Sequence, residues 1–343
     1  MIFLLTNPGK LLCHIAMAEE ILENLFRISI PLLGSPLGNL NSYLIKGEEK
    51  FLLIDTGWNE KSCLNHVVSE LKKLNVDLKR MDIFITHVHA DHAGLASALA
   101  SQTSKVYFNR EEAPIVNSTP SRRKKRQKTI YNIYLSNGFP DKELKKSFKN
   151  HPAIKYGLWD QMDFFIVEEG HSIDIGSYSF TCIKTPGHSP GHTCLYEPNK
   201  KILISGDHIL FDITPNITFW PELPDSLKKY LESLEKVYAL DVKLVLPGHR
   251  NLMNDHRKRI TELKAHHEER MKEIISALKT GEKTVFEIAP FVRWDIGYKS
   301  WQEFPLTQKW FAFGETLAHL KYLEEMGVVK EEQKLGQILF FLT

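Results

Sequence analysis

Four residues that can bind a metal ion lie within six positions of the chain, in the segment Thr86–His92, which reads THVHADH. These residues are His87, His89, Asp91 and His92. The segment follows the apolar run Ile83–Ile85, and this order predicts a loop between a strand and a helix. Imidazole and carboxylate groups spaced so closely are typical of sites for divalent metal ions. From this segment alone, a solvated loop that is rich in histidine is the alternative interpretation.

Four other parts of the chain repeat one arrangement, in which a short apolar strand ends at a polar residue beside a glycine or a proline. The polar residues at these strand ends are Asp55, His188 with His192, Asp207 with His208, and His249. Side chains brought from several strand ends to one rim are how a sheet scaffold builds an active site. The repeated arrangement therefore favours an active site over a solvated loop.

Taken in order, these motifs resemble those of the metallo-β-lactamase fold superfamily, over roughly positions 25 to 250. The resemblance implies an α+β fold, the four-layer αββα sandwich, in which two halves pack sheet against sheet with helices outside. It also implies a hydrolase that uses two divalent metal ions. The motifs are specific for the superfamily and say little about the substrate.

The same resemblance implies a set of metal ligands. It assigns the first ion to His87, His89 and His188, the second ion to Asp91, His92 and His249, and Asp207 to both. In the superfamily the third histidine comes from the first of two Gly-His steps, so His188 is the predicted ligand and His192 is predicted to brace the loop. Asp55 is predicted to orient a ligating imidazole, to cap its turn, or to do both.

Such a site implies hydrolysis by water rather than by a side-chain nucleophile. Two ions with an open position each can share a hydroxide, lower the pKa of that water and polarise a carbonyl or phosphoryl oxygen. Asp91 is predicted to orient the hydroxide and to accept its proton. His89 stands where oxygen-reducing di-iron relatives have a glutamate, which favours zinc. Iron or manganese also suits these ligands, and a one-iron thiol dioxygenase remains an alternative.

The pattern of apolar residues predicts the elements that hold these groups. Strands are expected at Phe26–Leu33, Ser42–Lys46 and Phe51–Ile54, then a helix at Asn59–Leu74, and the strands of a second half between Phe164 and Leu246. The predicted units are an N-terminal extension (1–24), a catalytic domain (25–254) with a helical insertion (110–163), a connector helix (255–279) and a winged-helix-like domain (280–343). The last unit is expected to pack as a cap on the catalytic domain or to bind nucleic acid. His266 and His267 of the connector helix are expected at the surface.

Length and composition are those of an ordinary soluble protein. A chain of 343 residues suffices for one large domain and a smaller one, and its formal charge of +2 gives no general attraction to polyanions. No apolar run approaches the roughly 18 to 20 residues that span a bilayer. The first residues lack the basic start of a signal peptide, so a cytoplasmic location without a membrane is expected. The oligomeric state cannot be predicted from the sequence.

The substrate is predicted from two features near the expected site. Aromatic residues that could line an apolar wall for an acyl chain, or belong to the core, are Tyr131, Tyr134, Phe211, Phe219 and Trp220. The basic run Arg122–Lys128 could bind the phosphates of coenzyme A or of RNA, or remain solvated. A small ester, a thioester such as an acyl-CoA, or a lactone is the leading hypothesis for the substrate. A single-strand RNA endonuclease is the alternative, whereas the intact ligand set disfavours an interaction protein with a degenerate site.

Overall fold

The computed structural model describes residues 18–158, 160–295, 297–298 and 300–343 of the chain. Residues 1–17, most of the predicted N-terminal extension, lie outside the described residues. A strand at Glu19–Leu22 pairs with the strand that begins at Leu25, so the first sheet starts before the predicted domain boundary. This strand is mostly exposed, and it therefore lacks the apolar alternation by which a strand is recognised in a sequence.

Within the described residues, the first sheet has seven strands that lie side by side in chain order. They are β1 (Glu19–Leu22), β2 (Leu25–Pro31), β3 (Asn39–Lys46), β4 (Phe51–Ile54), β5 (Met81–Phe84), β6 (Val106–Asn109) and β7 (Phe164–Val167). The pairs from β4 to β7 are parallel. Parallel strands end at the same edge of a sheet, so the loops after β4, β5 and β6 meet there. The loop after β4 carries Asp55, the loop after β5 carries the THVHADH segment, and the loop after β6 carries residues 110–112.

The second sheet has five strands among the described residues, in the order β12-β11-β10-β9-β8. They are β8 (Ser172–Ile175), β9 (Tyr178–Lys184), β10 (Thr193–Glu197), β11 (Ile202–Gly206) and β12 (Leu244–Pro247). The antiparallel pair β9 and β10 is joined by the loop that carries His188. The neighbours β11 and β12 are parallel, so Asp207 and His249 leave the sheet at one edge.

A buried apolar layer, which includes Phe84 from the first sheet and Phe180 from the second, lies between the two sheets. The helices are α1 (Lys61–Lys73), α2 (Ala90–Ala93), α3 (Ala96–Leu99), α4 (Ala113–Val116), α5 (Pro120–Ser136), α6 (Asp141–Asn150), α7 (Pro152–Tyr156), α8 (Ser226–Tyr238), α9 (His256–Leu278), α10 (Val285–Ile288) and α11 (Leu306–Glu325). A second apolar cluster packs the first sheet against α1 to α4, and another packs the second sheet against α8 and α9. The predicted four-layer αββα arrangement is confirmed.

The insertion and the C-terminal region share one hydrophobic core. Tyr134 of α5 stacks on Trp310 of α11 with ring centroids 4.1 Å apart, and Leu144 of α6 is buried in the same cluster. A hairpin of β13 (Val329–Lys334) and β14 (Gln337–Leu342) completes the chain. Helices followed by a hairpin agree with the predicted order of elements, and the winged-helix assignment itself stays a prediction.

The expectation that His267 lies at the surface is wrong, because its side chain is fully buried on the face of α9 that meets α11. Its Nδ1 lies 3.0 Å from Nε2 of His319, and Nδ1 of His319 donates to the Glu315 carbonyl at 2.8 Å. The Glu315 carboxylate is already paired with the guanidinium of Arg270. The Arg270 guanidinium therefore already supplies a cation to the carboxylate beside these two histidines.

No described helix combines the length and the apolar composition that crossing a membrane requires.

Candidate metal centre

The structure brings all seven predicted ligand residues together at the edge where the two sheets meet. Three overlapping groups each keep one ligand atom per residue within 4.8 Å of the others: His87 with His89 and His188; His87 with His92 and Asp207; and Asp91 with His92 and His249. Every member except His89 is buried. Loops from both halves of the sandwich are therefore needed to assemble the cluster.

In the first group, three imidazole nitrogens face one another. Nδ1 of His89 lies 2.9 Å from Nε2 of His87 and 2.9 Å from Nε2 of His188. The other nitrogen of His188 donates to the Asn216 carbonyl at 2.9 Å, and that of His87 lies 3.0 Å from the Thr86 hydroxyl. Because these contacts occupy Nδ1, the lone pairs of His87 and His188 point into the cluster.

Asp91, His92 and His249, called here the second group, are arranged in the same way. Nδ1 of His92 donates to Oδ2 of Asp55 at 2.7 Å, and Nδ1 of His249 donates to the Asn39 carbonyl at 2.8 Å. The inner nitrogen of His249 lies 3.3 Å from Oδ2 of Asp91. Both imidazoles therefore direct Nε2 towards Asp91 and its surroundings.

Asp207 lies between the two groups. Its Oδ2 is 3.6 Å from Nε2 of His188, whereas its Oδ1 is 3.5 Å from Nε2 of His92 and 3.7 Å from Nε2 of His249. One carboxylate therefore faces both groups, with a different oxygen towards each. Gly248 allows this approach, because a Cβ there would lie 2.6 Å from Oδ1 of Asp207.

His192 and Asp55 occupy supporting positions around the cluster. The Asp207 backbone N–H donates to Nε2 of His192 at 3.1 Å, and Nδ1 of His192 lies 2.8 Å from the Thr185 hydroxyl, so both ring nitrogens are used. Asp55 accepts from His92 and, at 2.9 Å, from the backbone N–H of Thr86. Asp55 has a φ of 60°, a left-handed conformation that is strained for a residue with a side chain. The surrounding hydrogen bonds hold that conformation.

The histidines differ in the direction in which their surroundings shift their pKa values. Burial lowers the pKa of His188, and burial with the neighbouring His92 lowers the pKa of His87 well below its usual range. Loss of hydration and the nearby His188 bring the pKa of His89 to about 3. The first group is therefore free of extra protons near neutral pH.

The pKa values of the histidines in the second group are raised instead. Burial opposes the charged form of His92, but Asp55 and Asp207 outweigh it and hold the pKa of His92 well above its usual value. Asp207 and Asp91 outweigh burial in the same way and raise the pKa of His249. Burial alone would raise the pKa of Asp91, yet His92 and His249 bring it to about 2, so this carboxylate is ionised.

One supporting residue, Glu112, was not predicted from the sequence. Its fully buried carboxylate accepts from the Gly191 N–H at 2.9 Å and from Nδ2 of Asn109 at 3.1 Å. It also accepts from the backbone N–H of Val88. One carboxylate thus joins the loops of His89 and His188. Glu112 follows strand β6, and the strand-end pattern that marked Asp55 would have drawn attention to it.

The predicted aromatic wall is only partly present. Trp220 lies beside the cluster: its ring stacks on His89 with centroids 5.7 Å apart, and its Nε1 donates to the His188 carbonyl at 3.2 Å. Tyr134 is 3% exposed and belongs to the core shared with α11, so its assignment to the pocket is wrong. Phe219 packs against the same core.

Tyr131 donates to Asp141 and packs on Phe148, and all three residues belong to the insertion. Phe211 is 47% exposed and stays a prediction as a pocket residue.

The basic run lies in the first half of α5, and its Arg126 contacts Trp220 beside the cluster. The Arg126 guanidinium lies 5.6 Å from the centre of the Trp220 ring and pairs with Glu222 through contacts of 2.6 and 3.1 Å. Arg122, Lys124, Lys125 and Lys128 are exposed. The run therefore presents exposed cations on the same helix as an arginine that touches the rim of the cluster.

The residues present fit bound divalent metal. Among the buried side-chain atoms that the structure describes, Nε2 of His92, Nε2 of His249 and Oδ1 of Asp207 have no hydrogen-bond partner. Buried polar atoms are rarely left unpaired, and these three converge with the inner nitrogens of the first group. Several inward lone pairs and two carboxylates within one small volume are stabilised by divalent cations.

Comparisons with known proteins agree with this geometry. The family model for the "Metallo-beta-lactamase superfamily" matches residues 36–249. "Probable metallo-hydrolase YqjP" of Bacillus subtilis is 24% identical over 94% of this chain and 98% of its own length. "Acyl-coenzyme A thioesterase MBLAC2" of Homo sapiens is 28% identical over 62% of this chain and 73% of its own. A metallo-beta-lactamase family protein of Thermus thermophilus superposes with a TM-score of 0.78 at 25% identity, covering 94% of this chain and 99% of its own.

Proposed function

The chain belongs to the metallo-beta-lactamase superfamily, and on that basis we propose that it is a metal-dependent hydrolase with a two-metal centre. The observation that carries this proposal is the position of Asp207, with one carboxylate oxygen towards His188 and the other towards His92 and His249. His87, His89 and His188 would hold the first ion, Asp91, His92 and His249 the second, and Asp207 both. Zinc suits this donor set best, and iron or manganese is compatible with it.

When bound, such a pair of ions lowers the pKa of a coordinated water and polarises the carbonyl under attack. The chain itself supplies the positioning. Asp55, Thr86, Asn39 and Asn216 fix the outer nitrogens of the histidines, so that the inner nitrogens keep one direction. Asp91, ionised and 3.3 Å from His249, is the residue that we assign to orient the attacking water and accept its proton.

For the substrate we propose a small ester, thioester or lactone, with an acyl-CoA thioester as the first compound to test. Trp220 offers an apolar surface directly beside His89, which suits an acyl group. The exposed cations of α5, with Arg126 against Trp220, would attract the phosphates of a coenzyme A leaving group. The similar human protein is named an acyl-coenzyme A thioesterase.

A substrate panel tests this proposal. Metal-loaded protein is incubated in parallel with an acyl-CoA, a homoserine lactone, the β-lactam nitrocefin and labelled single-strand RNA, each with and without a chelator. We expect turnover of the acyl-CoA or the lactone that the chelator abolishes and added metal restores. Cleavage of the RNA alone would replace the small-substrate proposal with the endonuclease alternative. Turnover that persists with the chelator would contradict metal dependence.

A further inference from the structure

The loop that follows Asp207 is seated on the C-terminal helix α11. The backbone N–H of Phe219 donates to the Gly314 carbonyl at 3.0 Å. A Cβ on Gly314 would collide with the Thr218 hydroxyl, so glycine in the middle of this helix lets the loop approach the helix backbone. Thr218 also shares a side-chain hydrogen bond with Tyr134 of α5. Residues 216–220, called here the His188 support loop, are therefore held in a fixed position.

The His188 support loop holds His188 at two points. The Asn216 carbonyl accepts from Nδ1 of the His188 ring at 2.9 Å, and Nε1 of Trp220 donates to the His188 backbone carbonyl at 3.2 Å. The first contact fixes both the direction of the ring and its tautomer. The position of the Asn216 carbonyl thus decides where Nε2 of His188 points.

The side chain of Asn216 is in turn anchored by α11. Its Nδ2 donates to Oε2 of Glu315 at 2.6 Å and lies 3.4 Å from the Phe311 carbonyl. Glu315 is 4% exposed, and its other oxygen pairs with Arg270, which is 6% exposed. The Arg270 guanidinium lies 4.4 Å from the centre of the Trp294 ring and donates to the Arg293 carbonyl at 3.2 Å. Arg270 therefore restrains Glu315, and Glu315 in turn restrains Asn216.

We propose that Glu315 is a positioning residue of the metal centre, acting through Asn216 on the ring of His188. The inference rests on the proposed function, since it assumes that His188 holds a metal ion. It makes the C-terminal region, which lies outside the part matched by the family model, a component of the centre. Partners of ligating histidines orient the ring and tune its basicity, so loss of this link would weaken the first metal site.

A purely structural role predicts something different. If Glu315 only joins α9 to α11, its removal changes the free energy of unfolding and leaves metal affinity and ligand geometry as they were. Metal affinity and the absorption spectrum of the cobalt-loaded protein separate the two roles, because the spectrum reports the ligand geometry at the ion.

Two variants break the link in different ways. Asn216→Ala keeps the backbone carbonyl that faces His188 and removes only the amide that anchors it. The double variant Arg270→Met/Glu315→Leu removes the buried ion pair together, because deleting one partner alone would strand a buried charge and could unfold the chain. The matched control is Glu325→Gln, which breaks an ion pair between α11 and Lys228 of α8.

Three quantities are measured for each protein. Chelator competition gives the dissociation constant of the metal ion at the site of His87, His89 and His188. The other two are the absorption spectrum of the cobalt(II)-loaded protein and the thermal unfolding midpoint of the metal-free protein. We expect about tenfold weaker metal binding and a shifted cobalt spectrum in both test variants. A tenfold loss is at the lower end of the usual loss of metal affinity when a partner of a metal ligand is changed. Combining all three substitutions should weaken binding no further than the stronger of the two, since they break one chain of contacts. The control should match the wild type in affinity and spectrum.

Wild-type affinity and spectrum in both test variants would overturn the inference, even if their unfolding midpoints fall. A wild-type protein that takes up no metal would instead overturn the proposed function, and the inference with it.

Discussion

Oδ2 of Asp55 lies 2.7 Å from Nδ1 of His92, and both side chains are buried, at 2% and 0% exposure. The carboxylate therefore holds a proton of His92 on the outer nitrogen and leaves Nε2 for the second metal site that we propose. Asp55 also accepts from Thr86, whose hydroxyl reaches His87, so one carboxylate supports ligands of both sites.

We expect Asp55→Asn to weaken the second metal site by about 10-fold to about 100-fold, the usual effect of altering a partner of a ligating histidine. Asparagine tolerates the left-handed backbone at this position, so the chain should still fold. Chelator competition measures the affinity, and circular dichroism checks the fold. Unchanged affinity in a folded variant would reduce Asp55 to a turn-capping residue.

The pH dependence of metal binding should differ between the two sites. His92 and His249 have raised pKa values, so each must release a proton when a metal binds, and the affinity of the second site should rise with pH through those values. The pKa values of His87, His89 and His188 are lowered, so these rings already lack the extra proton near neutrality. The affinity of the first site should therefore be nearly constant between about pH 6.5 and about pH 8.

Calorimetric titration in buffers of different ionisation enthalpy measures the protons released at each site. Equal proton release at the two sites would contradict this division of the histidines.

The cluster of seven side chains could be predicted from the sequence because its members lie in four short motifs at strand ends, where neighbouring residues reveal them. Asp55 could be predicted as a partner of a ligand for the same reason, whereas the residues that support His188 could not. Asn216 and Glu315 are 99 positions apart, and neither stands in a motif. Only the packing of α11 on the His188 support loop brings them together.

Aromatic residues and buried histidines were harder to place for a related reason. An apolar pattern shows that Tyr134 faces inward, but a pocket wall and a core have the same pattern. In the structure Tyr134 belongs to the core, because Trp310 of α11 stacks on its ring. His267 is likewise buried because α11 covers that face of α9, which a single helix pattern does not reveal.

Glu112 is not a predicted metal ligand, but we expect it to affect both stability and metal binding. Glu112→Ala removes the acceptor of the Gly191 N–H and leaves buried donors unpaired in the loops of His89 and His188. We expect a loss of about 1 to about 3 kcal/mol in the free energy of unfolding and weaker binding at the first metal site. Urea unfolding and metal titration measure the two effects. Weakened stability with wild-type metal affinity would show that the loops are positioned without Glu112.

Neutralising the exposed cations of α5 tests the coenzyme A proposal. In the variant Arg122→Gln/Lys124→Gln/Lys125→Gln/Lys128→Gln, we expect a several-fold higher KM for an acyl-CoA, a weaker dependence of KM on salt, and an unchanged kcat. Arg126 is kept because it contacts Trp220. A thioester of the same acyl group without phosphates is the control substrate, and its KM should not change. An equal KM for the acyl-CoA in both proteins would show that the run is a solvated surface.

Asp207→Ala should affect both metal sites at once, because the two oxygens of this carboxylate face different groups. We expect loss of bound metal together with a loss of turnover of at least about a hundredfold, which corresponds to about 2.7 kcal/mol in the activation free energy. Elemental analysis of the purified variant gives the metal content. Normal metal content at both sites would contradict the bridging role.

The most direct test of the two-metal hydrolase is to titrate metal-free protein with zinc and to follow turnover of the substrate found in the panel. We expect no turnover at the start and an increase that levels off at about two equivalents per chain. No third equivalent should bind, because Arg270 already pairs with the carboxylate beside His267 and His319. Full turnover before metal is added, or a plateau at a single equivalent, would contradict the two-metal hydrolase.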